Sequence, residues 1–260
     1  MASVSRALLL VCLAVLSGCA SHPKEYARDP HDPLQGFNRG VFRFNDALDR
    51  GVAKPVAKAY RAATPQPVRT GIGNFIANLE MPRTLLNDLL QGKLRAAMSD
   101  TGRLLLNTTM GIGGLFDVAS KAGIDHNDED FGQTLGKWGV PAGPYLVLPF
   151  LGPSDLRDAP SKVADWYSNP ATYANTEARW GYKAVDLVNA RYQLLSLDAT
   201  LDKAFDKYAF MRNAYLQNRA YKVSDGNVEE EPLEDPENPE NPDAAPPAEG
   251  DSKPAAPAPR

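Results

Sequence analysis

Apolar residues recur at helical spacing along most of this chain, then bunch into one uncharged run. From Phe37 they stand at Phe37, Val41, Phe44 and Leu48, spaced 4, 3 and 4, which is one face of a helix. Asn38, Arg39, Asn45, Asp46 and Asp49 fall largely elsewhere on it, and Phe42 widens the apolar face. Lys54 to Tyr60 reads as a short helix with Pro55 at a tolerated early position. Thr64-Pro65 reads as N-cap and first residue of the next, which carries Val68, Ile72, Phe75 or Ile76, and Leu79. Met81-Pro82 is expected to break that helix, because proline removes a backbone donor and crowds the preceding turn. Leu85, Leu86, Leu89 and Leu90 then mark a further helix stopped by Gly92. Lys93 to Thr108 is helical again, with Leu94, Ala97, Met98, Thr101, Leu104 and Leu105 on one side.

The second half adds Phe131 to Trp138, with Asp130 as N-cap, and Thr176 to about Leu195. A last helix is capped by Asp198, with the stripe Leu201, Phe205, Tyr208, Tyr215 and Arg219. Between these lies Trp138 to Ser154, seventeen residues without a charge. Pro141, Pro144, Pro149 and Pro153 each lack a backbone donor, and Gly139, Gly143 and Gly152 loosen the chain between them. A spanning helix needs about 20 apolar residues with its backbone bonded internally. The run therefore reads as irregular apolar backbone, with Tyr145, Leu146, Val147, Leu148 and Phe150 as candidates for a segment held at membrane level. Asp155-Leu156-Arg157-Asp158 restores charge and reads as an ion-pair cluster. The fold expected is mainly α.

Both ends stand apart from this core. Arg6 precedes the short apolar run Ala7 to Val15, and Leu16-Ser17-Gly18-Cys19 matches a bacterial lipobox. Residues 1–18 are expected to be a cleaved lipoprotein signal and 19–31 a lipidated tether. Cys19 is the acylation site, because two or more chains anchor stably where one does not. Ala20 follows, where an Asp would resemble an inner-membrane retention signal, so the outer membrane is the expected address. Residues 32–223 form the folded domain. Residues 224–260, rich in Glu, Pro, Ala and Asp, carry eleven acidic and two basic residues and are expected to be disordered. Without that tail the whole-chain net charge of −4 becomes mildly positive, with no Lys/Arg block; this gives no case for nucleic acid.

Catalytic readings fail on context. His22, His31 and His126 lie in polar loops or the tether, away from any nucleophile motif. Asn107 to Asp117 is glycine-rich, but Phe116 stands where a dinucleotide fingerprint needs its third glycine and a helix precedes it; close helix approach is the better reading. As a calcium loop, Asp125 onward has Asp130 where Gly is needed and Gly136 where Glu is needed. Gly136-Lys137 is followed by Trp138 rather than the Ser or Thr of a phosphate loop. Cys19 is the one cysteine left after processing, which excludes a disulfide framework and a cysteine metal site. No catalytic residue, metal or cofactor is expected.

The chain is similar to the MlaA/VacJ family of outer-membrane lipoproteins from Asp32 to about Tyr221. The motifs are Asp32-Pro33-Leu34-Gln35-Gly36-Phe37-Asn38-Arg39, Phe44-Asn45-Asp46, Leu48-Asp49-Arg50 with Lys54-Pro55-Val56, and Leu89-Leu90-Gln91-Gly92-Lys93. They continue with Asn107-Thr108-Thr109, Gly114-Leu115-Phe116-Asp117, Glu129-Asp130-Phe131-Gly132-Gln133-Thr134-Leu135-Gly136 and Gly143-Pro144-Tyr145-Leu146-Val147-Leu148-Pro149. Gln35 stands where the family often has Glu, and the acidic tail looks like an addition. The resemblance implies a ring-like helical body in the inner leaflet of the outer membrane, lipid-anchored and facing the periplasm. It also implies an amphipathic channel that passes misplaced phospholipids to a periplasmic lipid carrier, with trimeric porins as membrane partners. Asn38, Arg39, Asn45 and Asp46 are the candidates for the polar side of that path. The alternative function is a non-transporting scaffold that stabilises a porin or envelope complex.

Overall fold

The computed structural model describes Asp29 and residues 32–227. The signal segment, Cys19, the tether apart from Asp29, and the tail beyond Asn227 lie outside the described residues. The fold is mainly α. Helix α1 (Gln35–Leu48) runs through a wider turn, Asp49–Ala53, into α2 (Lys54–Ala63) without a break. In that turn the Lys54 N–H bonds the Asp49 carbonyl five residues back. α3 (Gln66–Leu90), α4 (Leu94–Thr109), α5 (Val118–Lys121) and α6 (Phe131–Lys137) follow. A two-stranded antiparallel hairpin comes next: β1 (Tyr145–Leu148) and β2 (Gly152–Asp155). The chain closes with α7 (Asp158–Ser168), α8 (Thr176–Gln193), α9 (Asp198–Lys203) and α10 (Lys207–Val223). Ser224–Asn227 still form a turn, in which Asp225 pairs with Lys93 and with Lys137 at 2.8 Å.

The packed neighbours form a closed circuit. α2 packs on α8, α8 on α3, α3 on α7, α7 on α6, α6 on α10, α10 on β2, and β1 returns to α1.

Three expectations are corrected. Pro82 does not end a helix: α3 continues through it for 25 residues. Proline there forfeits the bond to the Asn78 carbonyl, but Met81 and Thr84 on either side are buried, and such packing outweighs local propensity. α3 stops at Gly92 as expected. Gly92 has φ +74°, its N–H bonds the Leu89 carbonyl, and the Lys93 N–H bonds the Asp88 carbonyl, the reciprocal pattern of a Schellman cap.

The uncharged run is not irregular throughout. Tyr145 to Leu148 pair in register with Asp155 to Gly152, so Val147 faces Pro153. Proline is tolerated in this two-stranded ladder because every strand is an edge. Phe150, at φ +65°, makes the turn.

The last helix is divided. Ala204–Asp206 interrupt it, and Asp206 caps α10 by accepting from the Tyr208 and Ala209 N–H groups. Asp198 binds Lys54 (3.0 Å) and Arg191 (2.8 Å) instead. The α7 helix had no sequence-level counterpart.

Burial runs against the usual order. Among the described residues, Gln133, Asn38, Asn87, Thr134, Asp88, Asp100, Asp155 and Ser154 are sealed from solvent alongside Val147, with Met81, Tyr208 and Tyr145 nearly so. Buried polar groups need partners, and α4 shows how the fold supplies them. It buries Ala97, Asp100, Arg103 and Asn107 and exposes Leu94, Met98 and Leu105. Arg103 reaches Asp117 (3.1 Å), Ser120 (3.1 Å) and the Ile124 carbonyl; Asn107 donates to Asp117 (3.1 Å) and accepts from the Ala119 N–H. The apolar stripe read from the sequence therefore exists, but faces outward. α3 buries Ile76 and Met81 together with Asn78, but its last turns repeat the α4 pattern, sealing Asn87 and Asp88 while Leu86, Leu89 and Leu90 stay exposed.

Candidate functional site

The hairpin is bolted to α1 by two asparagines. Asn38, fully buried, donates to the Tyr145 carbonyl (2.9 Å) and to Asp32 (3.2 Å), and accepts from the Val147 N–H (2.9 Å). Seven residues on, Asn45 donates to the Leu148 carbonyl and accepts from the Phe150 N–H, both at 2.9 Å. An amide offers a donor and an acceptor side by side, which matches an outer strand edge. Two turns of α1 thus dock in register along β1, and only their Asn positions face it this way. Arg39 grips Asp206 (3.1 and 2.5 Å) and stacks 4.4 Å over the Tyr208 ring. Asp46 pairs with the exposed Arg50 at 2.7 Å.

Strand β1 alternates as a half-buried strand does. Tyr145 and Val147 enter a cluster with Val41 and Tyr208, while Leu146 and Leu148 are half-buried. Phe150 and Leu151, at the tip, are 66% and 63% exposed. Phe44 of α1, also exposed, meets Phe150 edge-on at 5.2 Å between ring centres. The loop after α4 adds exposed Met110, Ile112, Leu115 and Phe116. It is folded tightly through glycine: a Cβ on Gly114 (φ +95°) would lie 2.4 Å from the Asn78 Cβ. This is the close approach the glycine-rich stretch predicts.

Behind the hairpin, Arg219 of α10 binds Asp130 through both nitrogens (2.5 and 2.6 Å) and also holds Asp158. Burial pushes the Asp130 carboxyl up, but the Arg219 bonds and charge and the Gln133 N–H outweigh it and hold it well below the usual range. Arg157 pairs with Asp158 at 2.8 Å and Asp155 at 3.7 Å, the ion-pair cluster expected there. Gly132 is where this network passes α6: a Cβ there would meet Asp158 and Arg219 at 2.4 Å.

A different polar feature lies between α3 and α8. Gly73, Ile76, Ala77, Glu80, Arg83 and Thr84 on α3 face Asp186, Asn189, Ala190 and Gln193 on α8 across a cleft of about 390 Å³, with His126 and Asp128 at one side. The steps of three and four on each helix put these residues on single faces. Asp128 is shared by Arg83 (2.9 Å) and Lys222 (2.7 Å), and Asp186 pairs with Lys183 (3.1 Å). Among the described residues the ion-pair partner of Glu80 is Arg83, at 3.9 Å, with Lys183 farther off, and burial raises its pKa. The site-residue reading of the sequence missed this cleft. Its signal was present in the polar positions at helical spacing opposite the apolar stripe of α3.

These features define a mainly helical body that seals its polar groups inside and turns apolar helix faces and loops outward. Among the described residues, no helix is long and apolar enough to cross a membrane, and no group of three or more His, Cys, Asp or Glu is placed to hold a metal ion. A sequence profile described as MlaA lipoprotein matches residues 30–222, and the chain belongs to that family. It is 38% identical over 226 residues to the intermembrane phospholipid transport system lipoprotein MlaA of Escherichia coli (strain K12), covering 85% of this chain and 89% of that one. The Haemophilus influenzae protein of the same name is 34% identical over 235 residues, covering 85% and 91%. A chain solved in work on the structural basis for maintenance of bacterial outer membrane lipid asymmetry superposes with a TM-score of 0.67 at 38% identity, covering 75% of this chain and all of that one. The family is one of lipid transport, and the chain is not an enzyme.

Proposed function

We propose that this protein takes part in intermembrane phospholipid transport and helps to keep the outer membrane asymmetric. It removes misplaced phospholipids from the outer leaflet through an amphipathic path and passes them to a periplasmic carrier. Cys19 anchors it to the inner leaflet, and trimeric porins are its membrane partners. The relatives support the general role. The observation that carries it here is the reversed burial of α4 and of the last turns of α3, where Leu86, Leu89, Leu90, Leu94, Met98 and Leu105 are exposed while Asn87, Asp88, Asp100, Arg103 and Asn107 are sealed. In water such faces invite association, whereas against acyl chains they need no cover. The hairpin tip at Phe150, with Phe44 beside it, adds exposed apolar surface. Asn38, Arg39 and Asn45 support the path by fixing α1 against that hairpin and the start of α10, which keeps the apolar segment in place, while Asp46, paired with Arg50, stays a candidate for its polar side.

The test is outer-leaflet phospholipid in a deletion strain with and without the wild-type gene. Accumulation that the gene reverses is expected. Unchanged phospholipid would overturn the conduit and favour a scaffold that stabilises a porin or envelope complex. A Cys19→Ala chain is expected to leave the outer-membrane fraction; retention there would remove lipid anchoring from the account.

A further inference from the structure

The α3–α8 cleft contains groups that the fold leaves without partners. Asn189 is 96% buried by its 4% exposure and lines the cleft, yet its side chain makes no hydrogen bond among the described residues. Its Nδ2 is turned toward Gly73, where an added Cβ would lie 3.7 Å away. The Arg83 Nε is buried and likewise without a partner. Glu80 is the one acid of the cleft whose nearest counter-charge stays beyond hydrogen-bond distance, at 3.9 Å. A buried donor without a partner is unfavourable, and a ligand in the cleft would complete the Arg83 Nε together with Asn189 and Glu80. The donors, Arg83 and Asn189, suit a phosphate; the carboxylate of Glu80 suits an ammonium. Ile76, Ala77 and Ala190 supply an apolar wall beside them.

We propose that this cleft binds a zwitterionic phospholipid head, with its primary ammonium on Glu80 and its phosphate on Arg83 and Asn189. The proposal rests on the reading above that the protein handles phospholipid, and it adds selectivity between head groups to it. An anionic head without an amine finds no partner for Glu80 and leaves that carboxylate facing negative charge. A free phosphoethanolamine offers the same ammonium, with a monoester phosphate that is more negative near neutral pH than the lipid's diester, so the two sources are separated by experiment.

The full-length protein in nonionic detergent micelles is titrated with short-chain phosphatidylethanolamine, with short-chain phosphatidylglycerol, and with free phosphoethanolamine, and binding is read by native mass spectrometry. Wild type is expected to favour phosphatidylethanolamine over phosphatidylglycerol about tenfold, with free phosphoethanolamine competing weakly. Glu80→Gln is expected to erase that preference, and Asn189→Ala to weaken both lipids. Gly73→Ala adds a methyl at ordinary contact distance from Asn189 in the middle of α3, so it narrows the cleft while the helix is retained; it is expected to weaken both lipids. Equal affinity for the two lipids in wild type overturns the proposal, as does a preference that survives Glu80→Gln. If selectivity holds while deletion leaves outer-leaflet phospholipid unchanged, the conduit falls and the site stands. If deletion raises outer-leaflet phospholipid and selectivity is absent, the site alone falls.

Discussion

At the corner where α1, the hairpin and α10 meet, buried amides and carboxylates are closed into bonds. The amides of Asn38 and Asn45 take strand backbone, while Asp155 and Asp158 share Tyr215 and the neighbouring arginines. Where α3 meets α4 and α8, the same residue types are left open. Among the described residues, Asn78 Oδ1, Asp88 Oδ2 and both oxygens of Asp100 lack partners. Asp88 and Asp100 are both fully buried, and burial together with each other's presence raises the proton affinity of Asp88. Asp100 is raised by burial against the pull of His126 and Arg103, with Asn127 bonded to the pair and Lys93 and Glu129 close by. A proton shared by the two carboxyls supplies the donor that neither has when ionised. The comparison teaches that polar burial serves two ends in one fold. Closed networks fix geometry, and open ones store unmet bonding that a proton or ligand can complete.

The largest effect is expected from cutting a closed network. Arg219→Ala removes the cation of Asp130 and one of the two cations of the buried Asp158, and should destabilise by about 3–5 kcal/mol in urea unfolding. A loss under about 1 kcal/mol would break the claim that these pairs hold the corner. Asn38→Ala, which frees the Tyr145 carbonyl and the Val147 N–H, should lose roughly 2–4 kcal/mol, and Asn45→Ala less because it is more exposed.

The open side should respond in the other direction. Asp88→Asn keeps the shape and removes a charge, and is expected to stabilise by roughly 1 kcal/mol at pH 8. The signs with pH differ as well. The Asp88–Asp100 pair binds a proton more tightly folded than unfolded, so its contribution falls as pH rises from about 4, the ordinary carboxylate value. Asp130, held below its ordinary value, contributes stability above about pH 4 that is lost as pH falls. Thermal unfolding across pH should lose its alkaline slope in Asp88→Asn and keep its acid limb; an unchanged alkaline slope would count against the shared proton.

The smallest stability change, within roughly 0.5 kcal/mol in detergent, is expected from Met98→Glu on the outward face of α4, where the side chain is 76% exposed. The same variant should fail to restore outer-leaflet phospholipid in a deletion strain, as should Leu146→Glu or Leu148→Glu in the hairpin. Full restoration by Met98→Glu would show that the exposed face of α4 does not meet lipid.

The sequence by itself determined the mainly helical fold, the stripe of α1, the caps at Asp130 and Gly92, the close packing of Gly114 and the ion-pair cluster at Asp155–Asp158. Each depends on local spacing or on one residue's backbone preference. The tertiary structure decided which side of each stripe was inside. Periodicity finds a two-faced helix but not its orientation, and in α4 and the last turns of α3 the polar face is inside, where Arg103 and Asn107 bind Asp117, Asn87 binds Thr134 and Asp88 binds Asn127. Long-range contact also decided that Pro82 would be carried inside one helix and that β1 would form at all. A four-residue strand with prolines around it has too few ladder bonds to hold alone, and Asn38 and Asn45, more than a hundred residues away, supply the rest. The α3–α8 cleft, made by two helix faces about a hundred residues apart, belongs to the same class of fact: spacing places its residues on a face, and only packing sets the faces opposite one another.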